Sequence, residues 1–195
     1  MNVFSMLNTK YFIVGQPGQE QAQQNPNALG NAWFVSEVQW AKDADDEMAK
    51  LKDFNPARTV IVDERFKSYM EGFNTGDGRG SVTLTNFHPD NMEYQTESVA
   101  DQFAVVSEIW YKGNEDCKAY IDGKETEFIR VNYLLRGLKI PAGKHKVEFK
   151  FYPEAHYIGS KISFASSLII ILMAAGLFVY AVILKKELPG MKEDA

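Results

Sequence analysis

The segment that most constrains this chain is a run of 23 residues without a charged side chain, from Ile162 to Leu184. As an α-helix, which rises about 1.5 Å per residue, the run would be roughly 35 Å long. A helix of that length crosses the hydrocarbon core of a bilayer, which is about 30 Å thick, with some tilt. Lys185 and Lys186 follow directly, as is common at the end of a membrane span. The sequence therefore predicts a domain at 1–161, a transmembrane helix at 162–184 and a tail at 185–195.

The composition of residues 1–161 excludes several classes of protein for this domain. Residues 1–161 are enough for one domain with a sizeable core. The formal net charge is -5, and the lysines of the tail are balanced by its acidic residues, so the negative charge belongs to the domain. The domain has no basic cluster of the kind that binds nucleic acid, and no nucleic-acid partner is expected. A single cysteine, Cys117, excludes an internal disulfide and a cysteine metal cluster.

Two features bear on the side of the membrane that the domain occupies. Residues 1–14 lack the apolar run of about 7–15 residues that a signal peptide needs. The lysines after the span favour a cytoplasmic tail and a domain outside the cytoplasm, although Lys150 and Lys161 lie on the other side. An outside domain without a signal implies earlier spans, so the chain would be the C-terminal piece of a polytopic protein. The alternative is a tail-anchored protein with a cytosolic domain.

The polar part of the chain has the alternating pattern of a mainly β domain. The clearest stretch runs from 117 to 152, where Asp122-Gly123 predicts a tight hairpin turn. Residues 129–135 read as one strand, and a change of parity suggests a bulge at Gly137. Further strands are predicted at 11–14, 32–40, 59–62, 81–87, 92–99 and 103–111, with 15–30 as a loop. We expect an antiparallel β-sandwich, jelly-roll-like, followed by the membrane helix.

One short helix is predicted at Asp43–Lys52. Its acidic residues lie in the first turn and its lysines in the last, which matches the helix dipole. Met48 and Leu51 are three residues apart and are predicted to face the core. An EF-hand calcium loop would need glycine where Met48 stands, so the acids are assigned to the helix start.

The best candidate for a ligand site is a polar face predicted along one hairpin: Arg130, Asn132, Arg136, Lys118 and Tyr120. Guanidinium and amide groups bind sugar hydroxyls or phosphates well. The alternative is an exposed sheet face whose arginines pair with Glu125, Glu127 or Glu148.

No catalytic, metal or cofactor site is predicted. His88, His145 and His156 have no neighbour at metal-ligand spacing. Gly76–Gly80 lacks the ending of a phosphate-binding loop and is predicted to be a turn. Within the span, small residues recur every seven positions, at Ser167, Ala174 and Ala181, which favours close packing against other transmembrane helices.

Five segments form an ordered set along the chain: Leu7–Ile13, Asn25–Val35, Ser107–Tyr111, Lys118–Lys124 and Arg130–His145. In this order they resemble the C-terminal region of the YfhO-like bacterial membrane proteins, and the likeness continues into Tyr157–Ser163. One departure stands out. The family often has Gly-Trp just before Lys118, where this chain has Asp116-Cys117. If that tryptophan stacks on a sugar, this chain has lost the platform; if it is a core residue, Cys117 leaves a partly unfilled site.

The resemblance implies a large multispan protein of the GT-C glycosyltransferase type. Such proteins take a sugar from a polyprenyl-phosphate donor and attach it to a cell-envelope acceptor outside the membrane. Their catalytic carboxylate lies in an early extracytoplasmic loop, which would precede Met1, so this chain is expected to carry no catalytic residue.

The chain would then be an accessory or acceptor-binding β domain with the last span, in the bacterial cytoplasmic (inner) membrane, with the β domain on the extracytoplasmic side. The alternative is a free-standing membrane-anchored binding or scaffold protein with no transferase role.

Overall fold

The computed structural model describes residues 2–111 and 115–187, with side chains as far as Ile183. It divides into two compact units, Met1–Tyr152 and Pro153–Ala195. The first unit is mainly β and the second contains one long apolar helix, which confirms the fold class predicted from the sequence.

The described strands are β1 (Tyr11–Val14), β2 (Gln21–Gln24), β3 (Ala32–Val35), β4 (Glu37–Ala41), β5 (Thr59–Asp63), β6 (Ser81–His88), β7 (Asn91–Ser98), β8 (Gln102–Ile109), β9 (Cys117–Ile121), β10 (Lys124–Thr126), β11 (Ile129–Val131), β12 (Leu135–Ile140) and β13 (Gly143–Phe151). The described helices are α1 (Asn2–Met6), α2 (Ala44–Lys50), α3 (Lys67–Met70) and α4 (Glu154–Glu187). A 3-10 turn at Glu64–Phe66 precedes α3.

The strands form three sheets. β1 and β2 pair only with each other, β10-β9-β13-β7-β6 form a five-stranded sheet, and β3-β8-β12-β11-β5-β4 form a six-stranded sheet. The pairs that the structure describes are antiparallel, apart from the parallel pair β4 and β5. Side chains from both larger sheets share one apolar core, as in a sandwich.

The six-stranded sheet is buried on both faces. On β8, Phe103 and Val105 pack into a core that also contains Met6 of α1 and Leu51 beyond α2. Their neighbours Ala104 and Val106 point into the core between the two sheets. This double burial explains why β8 reads as a continuous apolar run. At the end of the strand predicted at 103–111, β8 stops at Ile109, and the side chains of Ile109 and Tyr111 are exposed.

Two expectations near the N-terminus need correction. Residues 15–30, predicted to be a loop, contain β2, which pairs with β1 from Tyr11–Gln24 to Val14–Gln21. The predicted strand 32–40 is two strands broken at Ser36. There the N–H groups of Ser36 and Glu37 both donate to the Arg58 carbonyl, at 2.9 and 3.0 Å. The chain thereby passes from β8, the partner of β3, to β5, the partner of β4.

Residues 129–135 are a hairpin and not the single strand that was predicted. Val131 pairs with Leu135 across a turn in which Asn132 and Tyr133 have φ of +48° and +73°. The predicted bulge at Gly137 lies instead between Leu135 and Arg136. Gly137 has a different reason to lack a side chain, because an added Cβ would lie 2.7 Å from Val131 and 2.8 Å from Phe103.

The helix predicted near residues 43–52 is α2. The Asp43 side chain caps it by accepting a hydrogen bond from the Asp46 N–H at 2.9 Å. Leu51 is buried as predicted, but the prediction for Met48 is wrong: 47% of it is exposed. Glu47 takes the inward position and is fully buried. α1 and α3 were not predicted.

α4 contains the predicted span and begins earlier, at Glu154 directly after Pro153, a residue favoured at helix starts. Its segment Glu154–Ile183 is 30 residues long and apolar enough to cross a membrane. The hydroxyls of Ser166 and Ser167 donate to the carbonyls of Ile162 and Ser163, at 2.9 and 2.8 Å, so these polar groups are satisfied within the helix. Most of the predicted tail lies outside the described residues.

Candidate ligand-binding cavity

The structure divides the five predicted ligand residues between two sheets. Lys118 and Tyr120 lie on β9, whose partners are β10 and β13 in the five-stranded sheet. Arg130 and Arg136 face each other as a cross-strand pair on β11 and β12, and Asn132 lies in the turn between those strands. The expectation that all five share one hairpin face is therefore wrong, because β9 does not pair with β11 or β12.

Arg130 belongs to a buried charge cluster. Its Nη2 lies 2.8 Å from Glu47 Oε2 and 3.6 Å from Asp63 Oδ2, and its Nη1 donates to the Tyr133 carbonyl. These carboxylates replace the glutamates considered as partners from the sequence. Burial raises the pKa of Glu47, while the Tyr133 N–H and the Arg130 guanidinium act in the opposite direction. The guanidinium of Arg130 is thus already engaged.

Asn132 is fully buried and ties the turn to the neighbouring strand. Its Oδ1 accepts from the Ile61 N–H at 2.8 Å, and its own N–H donates to the Ile61 carbonyl at 2.9 Å. The side chain therefore acts as an extra rung of the ladder between the turn and β5. This geometry gives the Asn132 carbonyl oxygen a structural role, while its Nδ2 has no hydrogen-bond partner among the described residues.

The outer face of the five-stranded sheet carries Lys118 and Tyr120. Lys118 Nζ lies 3.3 Å from Glu125, and Lys150 Nζ lies 4.9 Å from the centroid of the Tyr120 ring. Further ion pairs continue across the sheet, such as Lys144 with Glu97 at 3.2 Å. An open depression of about 500 Å³ lies on this face. The cationic side chains of this depression already have partners, so none of them requires a ligand.

Arg136 is placed differently from the other predicted residues. It points from β12 toward the core between the sheets and is only 8% exposed. Its Nε donates to the Ile109 carbonyl at 3.1 Å, and its guanidinium carbon lies 5.2 Å from the centroid of the Phe149 ring. Its Nη1 is buried and has no hydrogen-bond partner among the described residues. An unpartnered buried donor of a charged group is costly, so this atom calls for a ligand or ordered water.

A cavity of about 290 Å³ lies beside this guanidinium. Its lining is mostly apolar and aromatic, with one acidic and one basic side chain: Phe87, Pro89, Met92, Tyr111, Cys117 and Phe151 with Glu108 and Arg136. Small-molecule sites have this character, with hydrophobic walls and a few placed polar groups, and begin at about 300 Å³. The Tyr111 and Phe151 rings meet edge to face, with centroids 6.4 Å apart.

The electrostatics of the cavity are set by Arg136 and Glu108. Burial raises the pKa of Glu108, and the nearby Arg136 opposes that rise. Among the described residues the two groups form no ion pair, either with each other or elsewhere. The buried Tyr94 hydroxyl also lacks a partner there. Burial, followed by the charge of Glu108, raises the pKa of Tyr94, and Arg136 lowers it. The Tyr94 hydroxyl is therefore close enough to Glu108 and Arg136 to interact with their charges.

Cys117 forms part of the cavity wall. Burial raises the pKa of its thiol, so at neutral pH the group is an uncharged, unreactive thiol. The cavity beside Cys117 corresponds to the second alternative considered for this position, a partly unfilled site. Glu108 and Tyr94 were not identified from the sequence, since a glutamate or tyrosine on a β-strand carries no signal of what faces it.

The described structure combines a β-sandwich unit that contains this cavity with one helix long and apolar enough to cross a membrane. The family model described as bacterial membrane protein YfhO matches residues 60–163. This match covers more than half of the chain and includes Glu108, Cys117 and Arg136, so the chain belongs to the YfhO family of bacterial membrane proteins. Comparison with curated proteins and with solved structures gives no match.

Proposed function

We propose that the β-sandwich domain binds a glycan in the Arg136 cavity and so serves a YfhO-family membrane protein in glycosylation of the cell envelope. The glycan would be the acceptor or the sugar of a polyprenyl-phosphate donor. The domain would be an accessory module on the extracytoplasmic side, and α4 would be the last span.

The observation that carries this proposal is the unpartnered Arg136 Nη1 in an aromatic-walled cavity. A ligand oxygen that accepts its hydrogen bond would remove the cost of leaving that donor unsatisfied, which is about 1–3 kcal/mol. Charge-assisted hydrogen bonds of guanidinium groups are strong and directional. The aromatic walls would contact the apolar faces of a sugar ring.

The cavity supports a binding role better than a chemical one. Its thiol is uncharged, and Glu108 is the one carboxylate among the described lining residues. We therefore propose that the catalytic carboxylate of the transfer reaction lies elsewhere in the membrane protein and that this domain presents or retains the glycan.

The proposal is tested by substituting Arg136 in the native membrane protein. Arg136→Ala and Arg136→Gln should lower envelope glycosylation by roughly tenfold to a hundredfold, because a hydrogen bond from a charged group contributes about 1.5–3 kcal/mol. The melting temperature of each variant shows whether the domain remains folded. Arg58→Ala is the matched control, since Arg58 forms an exposed ion pair with Glu37.

A folded Arg136 variant with normal transfer would reject the role of the cavity in glycosylation. If such a variant loses glycan binding but keeps normal transfer, the free-standing binding or scaffold protein becomes the better account.

A further inference from the structure

We infer that the Arg136 cavity takes a single uncharged sugar ring, and not a phosphate or another anion. This inference rests on the proposed function and specifies the class of ligand within it. It is drawn from the charge balance, the donor and acceptor groups, the walls and the volume of the cavity.

The charge balance disfavours an anion. Arg136 and Glu108 both line the cavity, and in the described structure they do not neutralise each other by direct contact. While Glu108 is ionised, its carboxylate would repel an anion bound at Arg136, and this repulsion is strong in a partly buried site. An uncharged ligand avoids this cost.

The hydrogen-bonding groups favour hydroxyls. A guanidinium only donates, and an ionised carboxylate only accepts. Arg136 has a buried polar atom without a partner among the described residues, and Glu108 lines the same cavity. Sugar hydroxyls donate and accept, so neighbouring hydroxyls on one ring can meet Arg136 and Glu108 together. A fully deprotonated phosphate group only accepts hydrogen bonds, so it leaves an ionised Glu108 without a donor.

The walls and the volume suit one ring. Phe87 and Tyr111 line the cavity and remain 62% and 55% exposed, so they form an accessible aromatic rim. Such rings present apolar faces to a ligand at the mouth of the cavity. A volume of about 290 Å³ is at the small end for ligand sites and holds a single ring better than an extended glycan.

The test uses the full chain in lipid nanodiscs and four probes: methyl glucopyranoside, methyl galactopyranoside, glucose 1-phosphate and inorganic phosphate. Binding is measured by calorimetry and by saturation-transfer NMR. At least one methyl glycoside should bind more tightly than either phosphate. Arg136→Lys should weaken that binding by about tenfold or more, the expected loss of one charge-assisted hydrogen bond. Glu108→Gln should weaken glycoside binding and strengthen phosphate binding.

Two further variants locate the site. Cys117→Phe would place a larger side chain in the cavity and should abolish glycoside binding. Lys118→Ala, on the outer face of the five-stranded sheet, should leave it unchanged. Thermal unfolding of each variant checks the fold, and Glu108→Gln, which is nearly the same size as the native residue, provides the decisive comparison if Cys117→Phe does not fold.

The outcomes separate this inference from the proposed function. Tighter binding of glucose 1-phosphate or inorganic phosphate, dependent on Arg136, overturns the uncharged ligand but leaves a glycan-phosphate role in place. Glycoside binding that is insensitive to Arg136→Lys and Glu108→Gln overturns the inference as well, as does the absence of binding by every probe. The proposed function itself stands or falls with the transfer assay of the Arg136 variants.

Discussion

Glu47 and Arg130 form a buried ion pair, with Glu47 Oε2 2.8 Å from Arg130 Nη2. The other carboxylate oxygen, Oε1, accepts from the Tyr133 N–H at 2.6 Å. Helix α2 is thereby joined to the hairpin of β11 and β12, which leads directly to Arg136 at the cavity. Apolar periodicity predicts that Met48 faces the core. The charged residue Glu47 lies there instead and pairs with Arg130.

Arg130→Ala should destabilise the domain by about 3–5 kcal/mol, because it leaves the Glu47 carboxylate buried and uncompensated. Lys67→Ala is the control, since Lys67 and Glu64 form an exposed ion pair whose loss should cost less than about 1 kcal/mol. Urea unfolding followed by tryptophan fluorescence measures both changes. Equal midpoints for the two variants would show that the buried pair contributes nothing particular to stability.

Substitutions at Asn132 should separate its hydrogen bond from its backbone conformation. Asn132→Gly tolerates the φ of +48° but leaves the Ile61 N–H without its acceptor, a loss of about 1–3 kcal/mol. Asn132→Ala loses the same bond and adds the cost of a left-handed alanine, about 1–2 kcal/mol. The expected order of stability is wild type, Gly, then Ala, measured by chemical denaturation. Equal stability of the Gly and Ala variants would argue against backbone strain at this position.

The same turn shows what sequence patterning could not predict. The hairpin at Asp122-Gly123 was predicted correctly, since glycine there signals positive φ, and the structure gives +51° and +80°. At Asn132-Tyr133 no glycine marks the turn, and the apolar residues keep alternate spacing through it. The pattern therefore places Val131 and Leu135 on the same strand, although they are cross-strand partners on β11 and β12.

The candidate site was predictable in part. The residue type of Arg136 indicates a ligand-binding side chain, and that role stays a prediction. Glu108, which also lines the cavity, lies on β8, where the register of the β8–β12 pairing shifts between Leu135 and Arg136. The periodicity of residues along the sequence predicts neither a register shift between strands nor a cavity. The small side chain of Cys117 was the single sequence signal that a space could exist.

The His145–Asp122 contact should stabilise the domain in a defined pH range. The hydrogen bond to Asp122, at 2.6 Å, raises the pKa of His145 above its usual 6.5 and lowers the pKa of Asp122 below its usual 3.8. The His145 contribution is therefore complete below pH 6.5 and disappears as pH rises through the raised value. The Asp122 contribution is complete above pH 3.8 and disappears as pH falls through the lowered value.

His145→Asn should consequently lower the melting temperature more at pH 5.5 than at pH 9, relative to wild type at each pH. Titration of the imidazole by NMR in the folded protein provides an independent value for the pKa. Equal losses at the two pH values, or an unshifted titration, would mean that the contact has no electrostatic component.

The side of the membrane can be determined with two introduced cysteines in a Cys117→Ala background of the native membrane protein. Arg79 is suitable because its side chain is 87% exposed, whereas the adjacent Gly78 has a φ of +73° that disfavours a side chain. Lys192 represents the tail predicted from the sequence. We expect a membrane-impermeant thiol reagent to label Arg79→Cys and spare Lys192→Cys in intact cells, or in spheroplasts where an outer membrane blocks access.

Labelling of both positions after permeabilisation is the control that each thiol is reactive. If Lys192→Cys is labelled in intact cells and Arg79→Cys is spared, the β-sandwich lies in the cytosol and the tail-anchored alternative is correct. In that case the domain could not meet a sugar donor or acceptor outside the membrane. The cavity would then have to serve a cytosolic ligand, and the proposed role in envelope glycosylation would fail whatever the cavity binds.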